Sequence, residues 1–320
     1  MKLGVLTVPL SGMPLSEVLP YLHGLGVQTV ELGAGGYTNP AHLRPELLLQ
    51  DKSEIQKLKE LLKANDMEIS ALSCHGNALH PNKERAAHAD RVFRDTVRLA
   101  NELEVDVVNT FSGCPGDSER SERPNWVTCA WPGDYPEILK YQWEDKLLPY
   151  WADAAGYARE NGVKVAFEIH PGFCVYNTET MLRIHKEIGP AVGANFDPSH
   201  LFWQGVDIPT AIRALSGMIY HFHAKDCKVD PGNAARTGVL DTKSFMDAAG
   251  RSWIFRTVGY GHDEKVWRDI ISELRKTGYD GAVSIEHEDC LMSEKEGLEK
   301  AIQFLKDILI YEQPGEAYWA

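Results

Sequence analysis

VAFEIH, at residues 165–170, is an apolar run that stops on a carboxylate and an imidazole. Three other runs end in the same way: GANFDPSH (193–200), IYHFHAKD (219–226) and AVSIEHED (282–289). Their β-branched and aromatic residues read as strands, and in each the charged groups gather at the carboxyl end. Ionisable groups at the same end of several buried strands point to an α/β barrel, whose chemistry sits on that rim.

Working outward, four further runs of the same kind, KLGVLTV (2–8), VQTVELG (27–33), MEISALSCHG (67–76) and VDVVNTFSG (105–113), bring the count to eight. Helical periodicity near 15–25, 52–65, 83–104, 144–161, 177–188, 208–215, 264–277 and 294–310 fills the gaps, as right-handed crossovers between parallel strands require. The pattern predicts an α/β fold, a single (βα)8 TIM barrel over residues 1–311 with a frayed tail at 312–320. Two stretches exceed a plain connection: 113–143, rich in Pro, Gly, Ser and Trp, and 227–262, rich in Gly, Asp and Arg. They follow strands four and seven, so they should rise over the C-terminal face as lids or substrate walls; the alternative is decoration or an oligomer contact.

The 320 residues carry a formal charge of −13. Nucleic acids and anionic membranes are held by clustered Lys and Arg, so neither is expected as a partner, and a small neutral substrate is. Six cysteines without a CxxC pair suit free thiols in a reducing cytoplasm. The apolar N-terminal stretch is too short and interrupted to span a bilayer. The expectation is a soluble cytoplasmic protein, with homo-oligomerisation left open.

A carboxylate at a buried strand end is costly unless it is paired or binds a cation. Taken alone, any one of Glu168, Asp197, His223 and Glu286 is explained by structural hydrogen bonding. Four at equivalent ends point to one shared divalent metal, which says enzyme. Three carboxylates and one imidazole make an oxygen-rich site, which favours Mn²⁺, Co²⁺ or Mg²⁺ over Zn²⁺ without excluding zinc.

With EIHP, DPSH, HAKD and EHED as its most specific carriers, the chain resembles the sugar phosphate isomerase/epimerase superfamily. These are xylose-isomerase-like barrels that include ketose 3-epimerases, inosose dehydratases and isomerases, C-glycoside deglycosidases and endonuclease IV. The resemblance runs from residue 1 to about 311. It implies Glu168, Asp197, His223 and Glu286 as ligands of one divalent ion, with Mn²⁺ preferred, and His200 as a substrate partner or a group behind the ligands. It implies a metal-dependent isomerase or epimerase acting on a keto-sugar or related polyol, with Glu168 and Glu286 passing a proton through an enediolate. The endonuclease is set aside. Strand four ends on TFSG, and the segment before VGYG reads WIF without the Asp-x-His pair of that enzyme.

His170 lies two residues after Glu168 and so points to the same side of strand five. A near-neutral imidazole can take a proton from carbon beside a ketone, and loss of a group at the β-carbon would make the reaction an elimination. A lyase or deglycosidase on 3-keto-glycosides, with His170 as base, is therefore the alternative; a non-catalytic metal-binding subunit is a third reading. Cys174 stands where the ketose epimerases carry a further glutamate, which points away from a simple free ketose. His75, His200, Trp203, Lys225, Arg256 and His262 are the candidate substrate contacts. No Arg/Lys cluster surrounds a Gly-rich turn after strand seven or eight, so a phosphorylated sugar is not indicated.

Overall fold

The computed structural model describes residues 1–319. Eight strands form the barrel: β1 (Lys2–Leu6), β2 (Thr29–Gly33), β3 (Glu68–Ser73), β4 (Val107–Thr110), β5 (Lys164–Glu168), β6 (Val192–Phe196), β7 (Ile219–Ala224) and β10 (Ala282–Ile285). They close in the order β1-β10-β7-β6-β5-β4-β3-β2, every pair parallel. This is the (βα)8 barrel that the sequence predicts. β8 (Asp226–Val229) and β9 (Trp253–Arg256) form a separate antiparallel pair within the long segment after β7.

The eight expected helices form, joined by three short ones that the periodicity does not show, Pro45–Leu48, Ser199–Phe202 and Pro231–Thr237, and one expected helix differs in extent. The helix expected at 144–161 begins earlier, as Asp134–Lys140, runs through a π-helical stretch at Tyr141–Leu147, and continues as Leu148–Glu160. Pro132, Gly133 and Pro136 read as loop residues, but Pro136 occupies the first turn, where a missing N–H has no helical partner to lose. Caps fix other helix starts. Asp263 accepts from the Val266 N–H ahead of Glu264–Lys276, and Ser293 from that of Glu296 ahead of Glu294–Ile308.

The main core lies between strands and helices, where Leu3, Val5, Val30, Leu72, Val165 and Trp267 are fully buried. Inside the barrel, Ala71, Val107 and Ala166 form a small apolar cluster with Tyr220. Alternation places Ser73, Asn109 and Glu168 on the same side, one step nearer the carboxyl ends. The interior thus turns from apolar to polar along its axis. At the rim, Gly36 has φ +74, and a Cβ there would lie 2.1 Å from the His75 carbonyl oxygen; only glycine lets this loop close over β3.

Candidate active site

The strand ends bring the four expected residues together. Glu168 closes β5, Asp197 follows β6, His223 lies in β7 and Glu286 follows β10. Each offers one ligand atom, and these atoms lie within 4.8 Å of one another. His223 Nδ1 is 3.0 Å from Glu286 Oε2 and 3.5 Å from Glu168 Oε2.

The group is buried, so its electrostatics are strong. Burial opposes ionisation of Glu168, but His75, His200 and His223 around it hold its pKa well below the usual range. Burial likewise resists ionisation of Glu286, and Lys225 with His223 brings it down to about 2. For Asp197 burial wins, lifting it to about 7 against the pull of Lys225. Asp197 Oδ2 is buried and lacks an aligned hydrogen bond, although Lys225 Nζ is 3.1 Å away and His200 Nε2 3.3 Å. A carboxylate oxygen placed among charges without a directed partner fits a metal-ligand position, and the oxygen-rich donor set fits a hard divalent ion.

Sequence reading missed what stands behind His223. Glu31, fully buried in the middle of β2, accepts from His223 Nε2 at 2.9 and 3.0 Å, Asn109 Nδ2 at 2.9 Å and Ser284 Oγ at 2.7 Å. Ser73 also donates to it. Burial would raise the Glu31 pKa, but His223 and His221 overcome that and hold it far below the ordinary value. Burial disfavours charge on His223, yet Glu31 and Glu286 on either side keep it protonated well above the ordinary value. With Nε2–H committed to Glu31, Nδ1 is the nitrogen left for a ligand. The signal was legible: Glu31 breaks the apolar run VQTVELG.

The remaining candidates divide. His75 Nε2 lies 2.8 Å from Glu168 Oε2, too poorly aligned for a hydrogen bond, so that contact is Coulombic. His200 donates from Nε2 to Glu168 Oε1 at 3.0 Å, and burial, aided by the nearby Lys225 charge, pushes its pKa well below the ordinary value. Lys225 Nζ bridges Glu286 at 2.8 Å and Glu288 at 3.0 Å. His170 donates from Nδ1 to the Pro171 carbonyl at 2.5 Å. Its ring packs 4.0 Å from that of His200 and 4.8 Å from that of Phe111. Burial lowers its pKa, against the pull of Glu168; a neutral ring with Nε2 unprotonated can act as a base.

A cavity of about 620 Å³ opens beside this group, lined by His170, His200, Trp203 and Glu288 among others. Arg256 and His262 lie outside its wall. Arg256 Nε donates to Asp289 at 3.0 Å, while His262 is 2.8 Å from Asp226 and stacks on Phe202. Of the two long segments, 227–262 supplies much of the wall, and 113–143 supplies Trp126. Cys290 reaches the cavity; Cys174 and Cys227 do not.

The chain belongs to the xylose isomerase-like TIM barrel family, whose model matches residues 19–308. It is 37% identical over 312 residues to the uncharacterized protein YfiH of Bacillus subtilis, covering 97% of this chain and 99% of that one. It is 36% identical to the rhizopine catabolism protein MocC of Rhizobium meliloti over 156 residues, 48% of this chain and 45% of that one. Among solved structures, the IolI protein with a bound zinc atom superposes with a TM-score of 0.66 at 19% identity, covering 96% of each chain; that likeness shows the fold. No helix among the described residues is long and apolar enough to cross a membrane.

Proposed function

We propose that this protein is a divalent-metal-dependent isomerase or epimerase that moves a proton on carbon in a keto-sugar or related polyol. The observation that carries the reading is the convergence of Glu168, Asp197, His223 and Glu286 within 4.8 Å beside a cavity flanked by the neutral bases His170 and His200. These four residues would hold the ion, with Mn²⁺ the first choice. Bound there, the ion would supply Lewis-acid stabilisation of negative charge on a substrate oxygen, worth several kcal/mol.

The chain's own groups do the rest. Glu168 and Glu286 come from strands separated by β6 and β7, so they approach a substrate from different sides. One can remove a proton and the other return it, which inverts a carbon or moves a carbonyl. Glu31 holds the His223 ring in one tautomer, and Lys225 offers a positive charge beside Glu286. His75 and His200 flank Glu168 and keep it ionised.

A second reading is favoured by His170, which lines the cavity with Nε2 free while its Nδ1 is engaged. As the base, it would convert the same deprotonation into elimination from an oxidised glycoside. The test is a panel of keto-sugars in D₂O with metal-replete and chelated protein, read by NMR. Metal-dependent exchange with epimerisation supports the first reading, exchange with loss of a β-substituent the second. Verified metal binding without exchange on any keto-sugar removes both.

A further inference from the structure

All six cysteines of the chain are free thiols, and two of them meet. Cys114 follows β4, and Cys174 lies in the turn after β5. The Cys174 N–H donates to the carbonyl of Gly113, the residue before Cys114, at 3.0 Å. Bond lengths then keep the two α-carbons within roughly 7 Å of each other, the span beyond which a disulfide needs backbone movement. Neighbouring bonds fix both segments. Asn77 accepts from the Cys114 N–H at 3.0 Å and donates to its carbonyl at 2.9 Å, while the Val175 N–H donates to Ser112 Oγ at 2.9 Å. The side chains face each other. The Cys174 thiol shares a hydrogen bond with the Cys114 sulfur, which lowers the Cys114 pKa and, with burial, lifts that of Cys174 well above the ordinary value. Cys114 is thus the readier nucleophile and Cys174 the resolving partner.

The other four thiols are placed differently. Burial pushes Cys74 up to about 12, beside the hydroxyls of Thr96 and Thr110, and raises Cys227 within the hairpin of β8 and β9. Cys129 is exposed and Cys290 half-buried. Cys114 and Cys174 are only 2% and 6% exposed, so a small oxidant is required. A pocket of about 210 Å³ lined by Pro115 and Gly116 opens next to Cys114, and hydrogen peroxide is little larger than the water that such a space holds.

We propose that Cys114 and Cys174 form a reversible disulfide that fastens the loop after β4 to the turn carrying His170. The oxidant is a hydroperoxide. The Cys114 thiolate attacks one peroxide oxygen, the O–O bond breaks, and the sulfenic acid forms as hydroxide leaves. The Cys174 sulfur then attacks the Cys114 sulfur, the S–O bond breaks, and that oxygen leaves as water. Two thiols give up two electrons and two protons, and one hydrogen peroxide becomes two waters; a dithiol reverses the bond by exchange. The bond spans two walls of the large cavity, since the loop supplies Trp126 and the turn supplies His170, Pro171 and Gly172. The His170 N–H closes that turn on the Val175 carbonyl at 3.2 Å, so tying down Cys174 restrains His170 as well.

The test uses the full chain carrying Cys129→Ser and Cys290→Ser, which leaves only the buried thiols. The protein is treated with hydrogen peroxide, alkylated in denaturant, digested and read by mass spectrometry. The expected result is the loss of two thiols and one cross-linked peptide joining 114 to 174, undone by dithiothreitol. Amide hydrogen exchange should slow about threefold or more across 113–126 and 170–176 on oxidation, with β6 and β7 unchanged. Cys114→Ser and Cys174→Ala, each shown to be folded by circular dichroism, should lose both the cross-link and the protection. The inference is overturned if the native protein keeps both thiols reduced at peroxide levels that pair them after unfolding. A cross-link to Cys74 or Cys227 in place of this one, or a 114–174 bond that leaves exchange in both segments unchanged, overturns it equally.

Discussion

Glu31→Gln is the substitution that asks most of the site. It preserves shape and removes a charge from beneath His223. With the amide oxygen in the Oε1 position, the bonds from Asn109 and Ser73 survive, and His223 Nε2 still finds an acceptor at 2.9 Å. The amide NH₂ then takes the Oε2 position. Ser284, at 2.7 Å, can turn its hydroxyl to accept, but His223 Nε2, at 3.0 Å, must face a donor with its own proton. The ring relieves that clash by shifting its proton to Nδ1, where it blocks the lone pair that a metal needs. Partners behind metal-ligating histidines are worth about 10–100-fold in affinity, or about 1.4–2.7 kcal/mol. Competition for Mn²⁺ against a fluorescent chelator should read a loss in that range, with circular dichroism and melting temperature showing an intact barrel. Ser284→Ala, which removes one donor and leaves the charge, should have a smaller effect. Affinity within twofold of the parent in a folded Glu31→Gln protein would refute the coupling of Glu31 to the ligand group.

Metal removal should abolish activity and lower the melting temperature, because the ligand carboxylates lose the cation that offsets their repulsion; full activity after verified removal would end the metal reading. Metal affinity should fall as pH drops through about 7, since proton and cation compete for Asp197, and His223, held protonated above its ordinary value, extends that competition to higher pH, read by the same competition at several pH values. For the metal-free fold the sign is opposite: Asp197 contributes most below its ordinary 3.8, and that contribution is lost as pH rises to about 7. His170→Ala should lower exchange about 10–100-fold if the histidine only orients Glu168. If it is the base, the loss should be on the order of 10²–10⁴-fold with metal affinity unchanged. Asp226→Ala should destabilise the protein by about 3–5 kcal/mol in urea, because the N–H groups of Gly259, Gly261 and His262 and Trp267 Nε1 all donate to this buried carboxylate.

The barrel was legible because each strand is a short apolar run between turn residues, and eight such runs with crossovers leave little topological choice. The four convergent residues were legible for the same reason: strand ends in parallel register must meet on one rim. Glu31 was harder, because it lies mid-strand, where periodicity alone does not say which neighbour will answer a buried charge. The partners that fix its role, His223, Asn109 and Ser284, come from three distant strands. The hairpin of β8 and β9 was read only as a long loop, since its strands are four residues each, DCKV and WIFR, and lie far apart within a stretch rich in Gly, Asp and Arg. Arg256 and His262 fall near the rim in sequence, but the carboxylates of Asp289 and Asp226 engage them away from the cavity.

That hairpin pairs only with itself, outside the closed ladder of the barrel. Its aromatic side chains can therefore be exchanged one at a time without shifting a strand that carries a ligand residue. Selection can revise what the protein admits while its reactive centre stays fixed, so two descendants of one ancestor can keep the same chemistry and come to differ in diet.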